Sequence, residues 1–384
     1  MKNIRKYFLI IKLISVFCFL YSFSFSFTAQ SSLYLYPVAR AGHNMVYNLS
    51  DGEIILFGGM KDNLNNQESY LNDTWIYDYS NNVWTNPFFS IYPPNRNGPG
   101  MVYEPINNRV ILFGGANQFF FLNDTWELDL NHYLWHEIDS TTSPPGSADS
   151  EMFFDELNQE IVFFGGYTAI GYSNETWIFD ISSDEWIKQN HTIHPSSRYG
   201  HRIVYSSSKD SGILFAGHAF GSLDTINNDM WQYNCSIKHW SEMTVDSPPP
   251  TRYWHDMIYD EVNEKIIMFG GRKNSYSFEC WGDTWEYTEE NNQWTEIKTN
   301  QSPEPRMFCS MVYNKQAKKI IMFGGNQDPN TTIFNDLWEY DTNKNTWKQI
   351  VAGKKVSNIS IIALIGVLSL LGIISIIRKK SSSD

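Results

Sequence analysis

The stretch that decides the fold runs from residue 53 to residue 84. It reads Glu-Ile-Ile-Leu-Phe-Gly-Gly over residues 53–59, passes through a polar loop to Asn-Asp-Thr-Trp-Ile-Tyr-Asp over residues 72–78, and ends at Trp84. The apolar run before the glycines is typical of a strand buried on both faces, and the second run is rich in β-branched and aromatic residues. The stretch therefore predicts two neighbouring β-strands, Glu53–Phe57 and Thr74–Asp78, followed by a third strand that carries Trp84.

The same phrase occurs six times. Its second tryptophan recurs after 51, 51, 54, 54 and 53 residues, and each repeat has room for four strands without sustained helical periodicity. The paired glycines permit positive φ and a close approach of another chain segment, and the tryptophans are large enough to fill the space between neighbouring sheets. The repeated positions, with Ala216 in place of one glycine, are Gly58, Gly59, Trp75, Trp84, Gly114, Gly115, Trp126, Trp135, Gly165, Gly166, Trp177, Trp186, Gly217, Trp231, Trp240, Gly270, Gly271, Trp285, Trp294, Gly324, Gly325, Trp338 and Trp347.

A period near fifty residues with a Gly-Gly pair and two tryptophans resembles the kelch repeat, and the resemblance covers residues 37–350. It implies an all-β fold, a six-bladed kelch β-propeller within residues 31–353. The expected blades lie at about residues 37–88, 94–139, 144–190, 196–244, 250–298 and 304–350. Residues 33–36 are apolar and are expected to add a strand where the ring of blades closes.

A second pattern precedes the first strand of each repeat. An arginine stands seven residues before a tyrosine in five repeats, and in three of these a histidine follows the arginine by three residues. Repeat three has Ser147 and Ser150 instead. Two interpretations remain open: hydrogen bonding within the blades, or a polar site in the central channel made of Arg40, Arg198, His201, Arg252, His255 and Arg306.

The loops after Gly-Gly are rich in aromatic residues. The resemblance implies that these loops and the connections between repeats share one binding face. Aromatic side chains on exposed loops suit recognition of a protein or a glycan, although they could instead fold back over the blade edges. The candidate ligand-binding residues are Phe119, Phe120, Phe121, Tyr167, Tyr172, His218, Phe220, Tyr276 and Phe278.

Enzymatic chemistry has little support in the sequence. The nine histidines are scattered, and the close pairs His132/His136 and His191/His194 lack a third ligand. We therefore predict no catalytic residue, no metal site and no cofactor, and expect a recognition module. The resemblance also leaves an alternative, a carbohydrate-active enzyme similar to the sialate mutarotases or to galactose oxidase, and a weaker one, a purely structural surface component.

The charge distribution separates the ends of the chain from its middle. Residues 1–30 and 354–384 each carry a net charge of +4, which leaves −21 on residues 31–353 out of −13 for the whole chain. Because a propeller this acidic repels phosphate backbones, we predict no nucleic-acid partner.

The cysteines predict no disulfide framework. Cys235, Cys280 and Cys309 are odd in number and widely spaced.

Both ends predict membrane targeting. Residues 1–30 have the basic start, apolar run and small residues of a secretory signal peptide. After a linker at residues 354–358, residues 359–377 carry no charge and are long enough for one membrane helix, and the basic tail at residues 378–384 favours an inside C-terminus. We expect a single-pass type I protein of the cell membrane, with the propeller outside and an extracellular protein or glycan as its ligand.

An extracellular propeller would also be a candidate glycoprotein. Nine Asn-x-Ser/Thr sequons are present. Asn72, Asn123 and Asn174 open the strand that carries the first tryptophan and are expected to be poorly accessible, whereas Asn190, Asn300 and Asn330 lie in loops and are the better acceptors.

Overall fold

The structure is a computed structural model that describes residues 36–61, 69–219, 225–328 and 332–351. The predicted signal peptide, membrane helix and basic tail lie outside these ranges, as do residues 33–35 and the candidate ligand residue Phe220. Tyr36 is described and is not part of a strand. Within the described ranges no helix has the length and apolar character needed to cross a membrane.

The described chain is built from antiparallel sheets, with one main sheet for each sequence repeat and a small additional sheet in blades three and six. Blade one contains β1 (Asn44–Tyr47), β2 (Glu53–Phe57), β3 (Thr74–Asp78) and β4 (Val83–Thr85). Blade two contains β5 (Gly100–Glu104), β6 (Arg109–Phe113), β7 (Thr125–Asp129) and β8 (Leu134–Ile138). Blade three contains β9 (Ser147–Ala148), β10 (Glu151–Asp155), β11 (Glu160–Phe164), β12 (Tyr167–Thr168), β13 (Gly171–Tyr172), β14 (Thr176–Asp180) and β15 (Glu185–Gln189).

The second half repeats the plan. Blade four contains β16 (Arg198–Tyr199), β17 (Arg202–Ser206), β18 (Ser211–Ala219), β19 (Thr225–Asn234) and β20 (His239–Met243). Blade five contains β21 (Asp256–Asp260), β22 (Lys265–Phe269), β23 (Thr284–Thr288) and β24 (Gln293–Ile297). Blade six contains β25 (Ser310–Asn314), β26 (Lys319–Phe323), β27 (Asn326–Asp328), β28 (Thr332–Ile333), β29 (Leu337–Asp341) and β30 (Thr346–Ile350).

The six sheets form a closed ring. The innermost strands β1, β5, β10, β17, β21 and β25 contact their neighbours in this order, and β25 contacts β1. Four main strands of each sheet follow one another in chain order, so each repeat builds a complete blade and the ring closes without exchange of a strand. The architecture is a six-bladed β-propeller, which confirms the all-β fold expected from the repeats.

The hydrophobic core lies between blades. Each of six clusters joins residues of two neighbouring sheets, as when Phe57 of blade one and Trp135 of blade two pack with ring centroids 5.2 Å apart. The corresponding cluster between blades six and one contains Trp84 and Phe323, with Tyr36 packed against both rings. Burial of the aromatic rings thus depends on the neighbouring blade, which explains why two tryptophans recur in every repeat.

Hydrogen bonds also cross from blade to blade. The indole N–H of Trp186 donates to Thr125 Oγ1 at 2.9 Å, and Trp135, Trp240 and Trp347 make the same bond to the preceding blade. Blades four and six have Met230 and Leu337 at the threonine position. Accordingly, the indole N–H groups of Trp294 and Trp84 find no acceptor among the described residues.

Gly-Gly marks one end of the propeller. The N–H of the second glycine donates to a carbonyl of the next blade in all six repeats, over 2.7–3.0 Å. We call this end the loop face; its described residues are 58–61, 69–73, 114–124, 165–175, 216–219, 225–229, 270–283, 324–328 and 332–336. The opposite turn face carries the tight turns 48–52, 105–108, 156–159, 207–210, 261–264 and 315–318.

Candidate functional site

The loop tips of blades two, three and five expose large side chains. The exposed fraction is 67% for Phe120 and 86% for Tyr276, and it lies between 43% and 58% for Phe119, Tyr167 and Phe278. Phe119 and Phe120 contact each other, with ring centroids 6.0 Å apart. These five residues therefore do not fold back over the blade edges and are available to a partner.

Between these tips lies a connected set of rings, the aromatic patch, formed by Phe121, Tyr167, Tyr172, Tyr199, His218, Tyr253, Trp254 and Phe308. Tyr172 and Tyr199 approach to 4.8 Å between ring centroids, and Trp254 and Phe308 to 4.2 Å. The patch runs from blade two to the mouth of the central channel.

Cross-strand pairing explains why the patch is confined to one side. The residue after the arginine position pairs with the residue after Gly-Gly in every blade. These pairs are Ala148 with Tyr167, Tyr199 with His218 and Tyr253 with Arg272 in blades three to five, and Ala41 with Met60, Asn97 with Ala116 and Met307 with Asn326 elsewhere. Aromatic and charged pairs thus occupy three adjacent blades, and small or aliphatic pairs occupy most of the others.

Arg272 is a charged group set among these rings. Its guanidinium donates to the carbonyls of Ser275 and Ser277, both at 3.1 Å. It also lies 4.8 Å from the ring centroid of Phe278 and within 6 Å of those of Tyr253 and Trp254. The cation is therefore part of the aromatic surface rather than a free side chain.

A closed ring of backbone hydrogen bonds surrounds the channel mouth. Each N–H donates to the carbonyl of the equivalent residue in the preceding blade over 2.7–3.1 Å, through Gly42, Gly98, Asp149, Gly200, Trp254 and Phe308. All six have φ between 55° and 66°. The three that are not glycine bring side chains to the mouth, where Trp254 Nε1 donates to Asp149 Oδ2 at 3.0 Å.

Two residues further along the chain, charged side chains form a collar inside the channel. Arg202 is ion-paired with Glu151 and, at 3.0 Å, with Asp256. Asp256 also accepts the backbone N–H groups of Met257 and Met311. Burial raises the pKa of Glu151 to about 8 and that of Asp256 to about 6, although Arg202 opposes both shifts.

The repeated arginines lie inside the blades. Arg40 Nη1 donates to Gly58 O, and its two terminal nitrogens bind the two oxygens of Asp73 at 2.7 Å. Asp73 also accepts the indole N–H of Trp75. The same arrangement joins Arg96 to Asp124, Arg198 to Asp229, Arg252 to Asp283 and Arg306 to Asp336.

This placement corrects the channel interpretation for Arg40, Arg198, Arg252 and Arg306, because each guanidinium is fully used by its own blade. The histidines are also packed rather than presented: His201 and His255 lie edge-on to Phe164 and Phe215 of the preceding blades. Burial, together with neighbouring arginines, holds the pKa of both imidazoles well below the usual value, so they stay neutral.

The loop residues predicted from the sequence divide into three groups. Phe121, Tyr167 and Tyr172 belong to the patch, Phe119, Phe120, Tyr276 and Phe278 surround it, and Phe220 lies outside the described residues. His218 is part of the patch and is buried, with Nε2 at 3.0 Å from Ser275 Oγ, so it follows the alternative in which a loop side chain folds back.

Tyr199, Tyr253, Trp254, Phe308 and Arg272 were not predicted from the sequence. Their signal was available, because these residues occupy positions fixed relative to the repeated arginine and Gly-Gly, where several of the other repeats have Ala, Gly or Asn. Cys235, Cys280 and Cys309 are buried, and no disulfide joins any of them within the described part of the chain. Among the described residues there is no cluster of three or more metal-ligating side chains.

One accessibility prediction was wrong. Asn72 and Asn123 are exposed, because only the two residues that follow each of them turn toward the sheet. Asn190 and Asn300 are exposed as well, so burial does not rank these four sequons, and Asn330 lies outside the described residues.

Comparison with known proteins agrees with this architecture. The family model described as the KLHDC2/KLHL20/DRC7 Kelch-repeats domain matches residues 20–147, 89–251 and 208–365. Kelch domain-containing protein 1 of Homo sapiens is 23% identical over 350 residues, which cover 82% of this chain and 83% of that protein. Kelch domain-containing protein 10 of Bos taurus is 23% identical over 296 residues (72% and 64%), and Kelch domain-containing protein 3 of Rattus norvegicus is 26% identical over 254 residues (62% and 63%). The chain belongs to the kelch-repeat family.

Proposed function

We propose that this propeller is a recognition module that binds a protein partner on its loop face. Kelch-repeat proteins generally mediate protein–protein interaction. The observation that carries the proposal is the exposure of Phe120 and Tyr276, at 67% and 86%, beside a connected aromatic patch. Large aromatic side chains that are exposed together in this way are typical of the energetic centres of protein interfaces.

The test is a quantitative comparison of partner recovery by variants. Phe120→Ala and Tyr276→Ala should each weaken partner binding by about 1–2 kcal/mol, roughly 5–30-fold, with little change in melting temperature. Ile106→Ala and Ile237→Ala are matched controls, since both side chains are exposed hydrophobic residues on turns of the opposite face. Equal binding by all four variants would overturn the proposal, as would a glycan array in which a sugar binds the patch and no protein does.

The second part of the proposal concerns placement. We infer that the propeller lies outside the cell on a single-pass type I anchor at residues 359–377, after removal of a signal peptide at residues 1–30. The support is in the sequence: a charge-free run long enough to span the hydrocarbon region, followed directly by Arg378, Lys379 and Lys380. Protease added to intact cells should then remove the propeller and leave a small C-terminal fragment. Full protection of the propeller would contradict this orientation.

A further inference from the structure

The central channel contains a cavity separate from the aromatic patch. It has a volume of about 310 Å³ and is lined by the innermost strands of all six blades. One end is the collar of Glu151, Arg202 and Asp256, which separates the cavity from the loop face. The other end opens on the turn face between residues such as Leu49 and Pro105. We call this cavity the well.

The well is deep and narrow. Innermost strands of four or five residues at about 3.3 Å per residue give a depth of roughly 13–17 Å. A volume of about 310 Å³ over that depth corresponds to a width of roughly 5 Å for the path of a water molecule's centre, and the free width between wall atoms is larger by about 2.8 Å. This space accepts an extended aliphatic chain along its length.

The walls combine apolar side chains with strand edges that pair with no further strand. Each innermost main strand pairs with a single neighbouring strand, so its other edge turns N–H and C=O groups toward the well. Val102 and Ile258 are half-buried wall residues midway along it. A ligand in the well can therefore pack methylene groups against apolar side chains and donate hydrogen bonds to backbone carbonyl groups.

Acidic groups occur at two levels of the well. Glu151 and Asp256 stand at the base, and Glu156 and Glu261 stand at the mouth; the basic groups in the lining are Arg202 and Lys315. Asp256 and Glu261 are five residues apart on one strand and its turn, which places the two levels roughly 16 Å apart. Arg202 is paired with Glu151 and Asp256, and Lys315 is paired with Glu261, so each level keeps a net charge of −1 when its two carboxylates are ionised. An apolar wall between two such levels suits a ligand with positive charges at both ends of an aliphatic chain.

We propose that the well binds a linear aliphatic polyamine, with one terminal ammonium group at the Glu151 and Asp256 level and the other at Glu261. Its methylene groups lie along Val102 and Ile258, and its inner amines donate to the strand-edge carbonyls. The net charge of −21 on residues 31–353 draws such a cation toward the protein. The site is independent of the proposed partner surface, because it opens on the opposite face.

A pH dependence distinguishes the well from the acidic surface. Glu151 and Asp256 face Arg202, Asp149 and the imidazoles of His43, His201 and His255. Burial raises the pKa of both collar carboxyl groups, whereas burial keeps the three imidazoles neutral and Arg202 stays charged. Raising the pH from 6 to 8.5 therefore adds negative charge at the base of the well, and affinity for the amine should rise. Surface carboxylates are already ionised in this window and produce no such rise.

The experiment is calorimetric titration of the full chain with spermine at constant ionic strength. Putrescine is the control ligand, because it is too short to join the two levels and should bind at least 10-fold more weakly. Glu151→Gln and Asp256→Asn should each reduce spermine affinity about 10-fold and flatten the pH dependence. Glu296→Gln, a surface control far from the well lining, should leave the affinity unchanged.

Glu261→Gln provides a second variant that does not disturb the buried collar. Its side chain is partly exposed and paired with Lys315, so folding is preserved, and spermine affinity should fall about 3-fold. Phe120→Ala should bind spermine like the unmodified protein even if it loses the protein partner. Equal spermine affinity in Glu261→Gln and Glu296→Gln, or equal affinity for spermine and putrescine, would overturn the proposal.

Discussion

At the scale of single residues, Arg252 illustrates how a buried charge is held within a blade. The side chain is fully buried, and its two terminal nitrogens bind Asp283 at 2.8 Å while Nη1 also donates to Gly270 O. Arg252→Ala should lower the free energy of unfolding by about 3–5 kcal/mol, because it leaves the Asp283 carboxylate without its cation. Chemical denaturation measures this change.

Blade three supplies the control for that measurement. It has Ser147 at the arginine position, and Ser147 Oγ is buried with no acceptor or donor among the described residues. Ser147→Ala should therefore be close to neutral. A similar loss of stability in Ser147→Ala and Arg252→Ala would show that the position, and not the ion pair, is what matters.

The stabilisation by the Arg252–Asp283 pair should depend on pH. Burial alone would raise the pKa of Asp283, but the hydrogen bond and charge of Arg252 outweigh burial and lower this pKa. The stabilisation should therefore persist at neutral pH and be lost only as the pH falls below the ordinary carboxyl range.

The threonine that accepts an indole hydrogen bond offers a second test at this scale. Thr125→Val keeps the side-chain shape but leaves the N–H of buried Trp186 without its acceptor, which should cost about 1–3 kcal/mol. A double-mutant cycle with Trp186→Phe isolates the bond, since Thr125→Val should cost little once the indole is absent. An equal cost in both backgrounds would contradict this explanation.

The sequence allowed part of these residue contacts to be predicted. Repeats with arginine carry aspartate two residues before the first tryptophan, and the repeat with Ser147 carries Glu175 there instead. That correspondence favours a pair within the blade over a channel site. The collar was not predicted. Glu151, Arg202 and Asp256 occupy the same position in their repeats, but that position holds a different residue in each of the six repeats, so it shows no repeated pattern.

At the scale of elements, the paired glycines set where the second and third strands separate. Gly270 has φ of 74°, and a Cβ there would lie 2.5 Å from Arg306 O of the next blade. Gly270→Ala should therefore cost at least about 2 kcal/mol, since it adds a backbone clash to the penalty for a left-handed residue. Thermal melting of the variant measures the loss.

Blade four provides the comparison, because Ala216 already occupies the first glycine position with φ of 61°. Ala216→Gly should change the stability by less than about 1 kcal/mol, as relief of the left-handed conformation offsets the extra freedom of glycine in the unfolded chain. If both substitutions were neutral, the close carbonyl would not be the reason for glycine.

Most elements were predictable, and blade four shows where the prediction failed. The strands Glu53–Phe57 and Thr74–Asp78 were predicted with the bounds observed, because the apolar runs end at glycine or in a turn. The first strand begins only at Asn44, since Gly42 adopts positive φ in the ring at the channel mouth. In blade four β18 and β19 continue past the glycine position through a bulge between Phe215 and Gly217, which a single Ala-for-Gly change does not reveal.

At the scale of the whole molecule, the ring makes every blade depend on two others. The six core clusters each join neighbouring blades, including the last and the first. In a linear repeat protein the end repeats have one neighbour and can unfold separately. The closed ring has no end repeat, so all six blades should unfold together as one cooperative unit. The six repeats in the sequence predict the ring, but they do not predict which contacts close it.

This leads to a prediction about unfolding. Trp294→Ala removes a large ring from the cluster between blades four and five, where Trp294 packs against Phe215 with centroids 5.1 Å apart. The substitution should destabilise the propeller by about 3–5 kcal/mol. Because the damaged interface is one link of a closed ring, calorimetry should show one transition shifted to lower temperature. Leu157→Ala, on an exposed turn, is the control and should leave the transition in place. A second, separate transition in Trp294→Ala would mean that blades unfold independently and that the ring does not act as one unit.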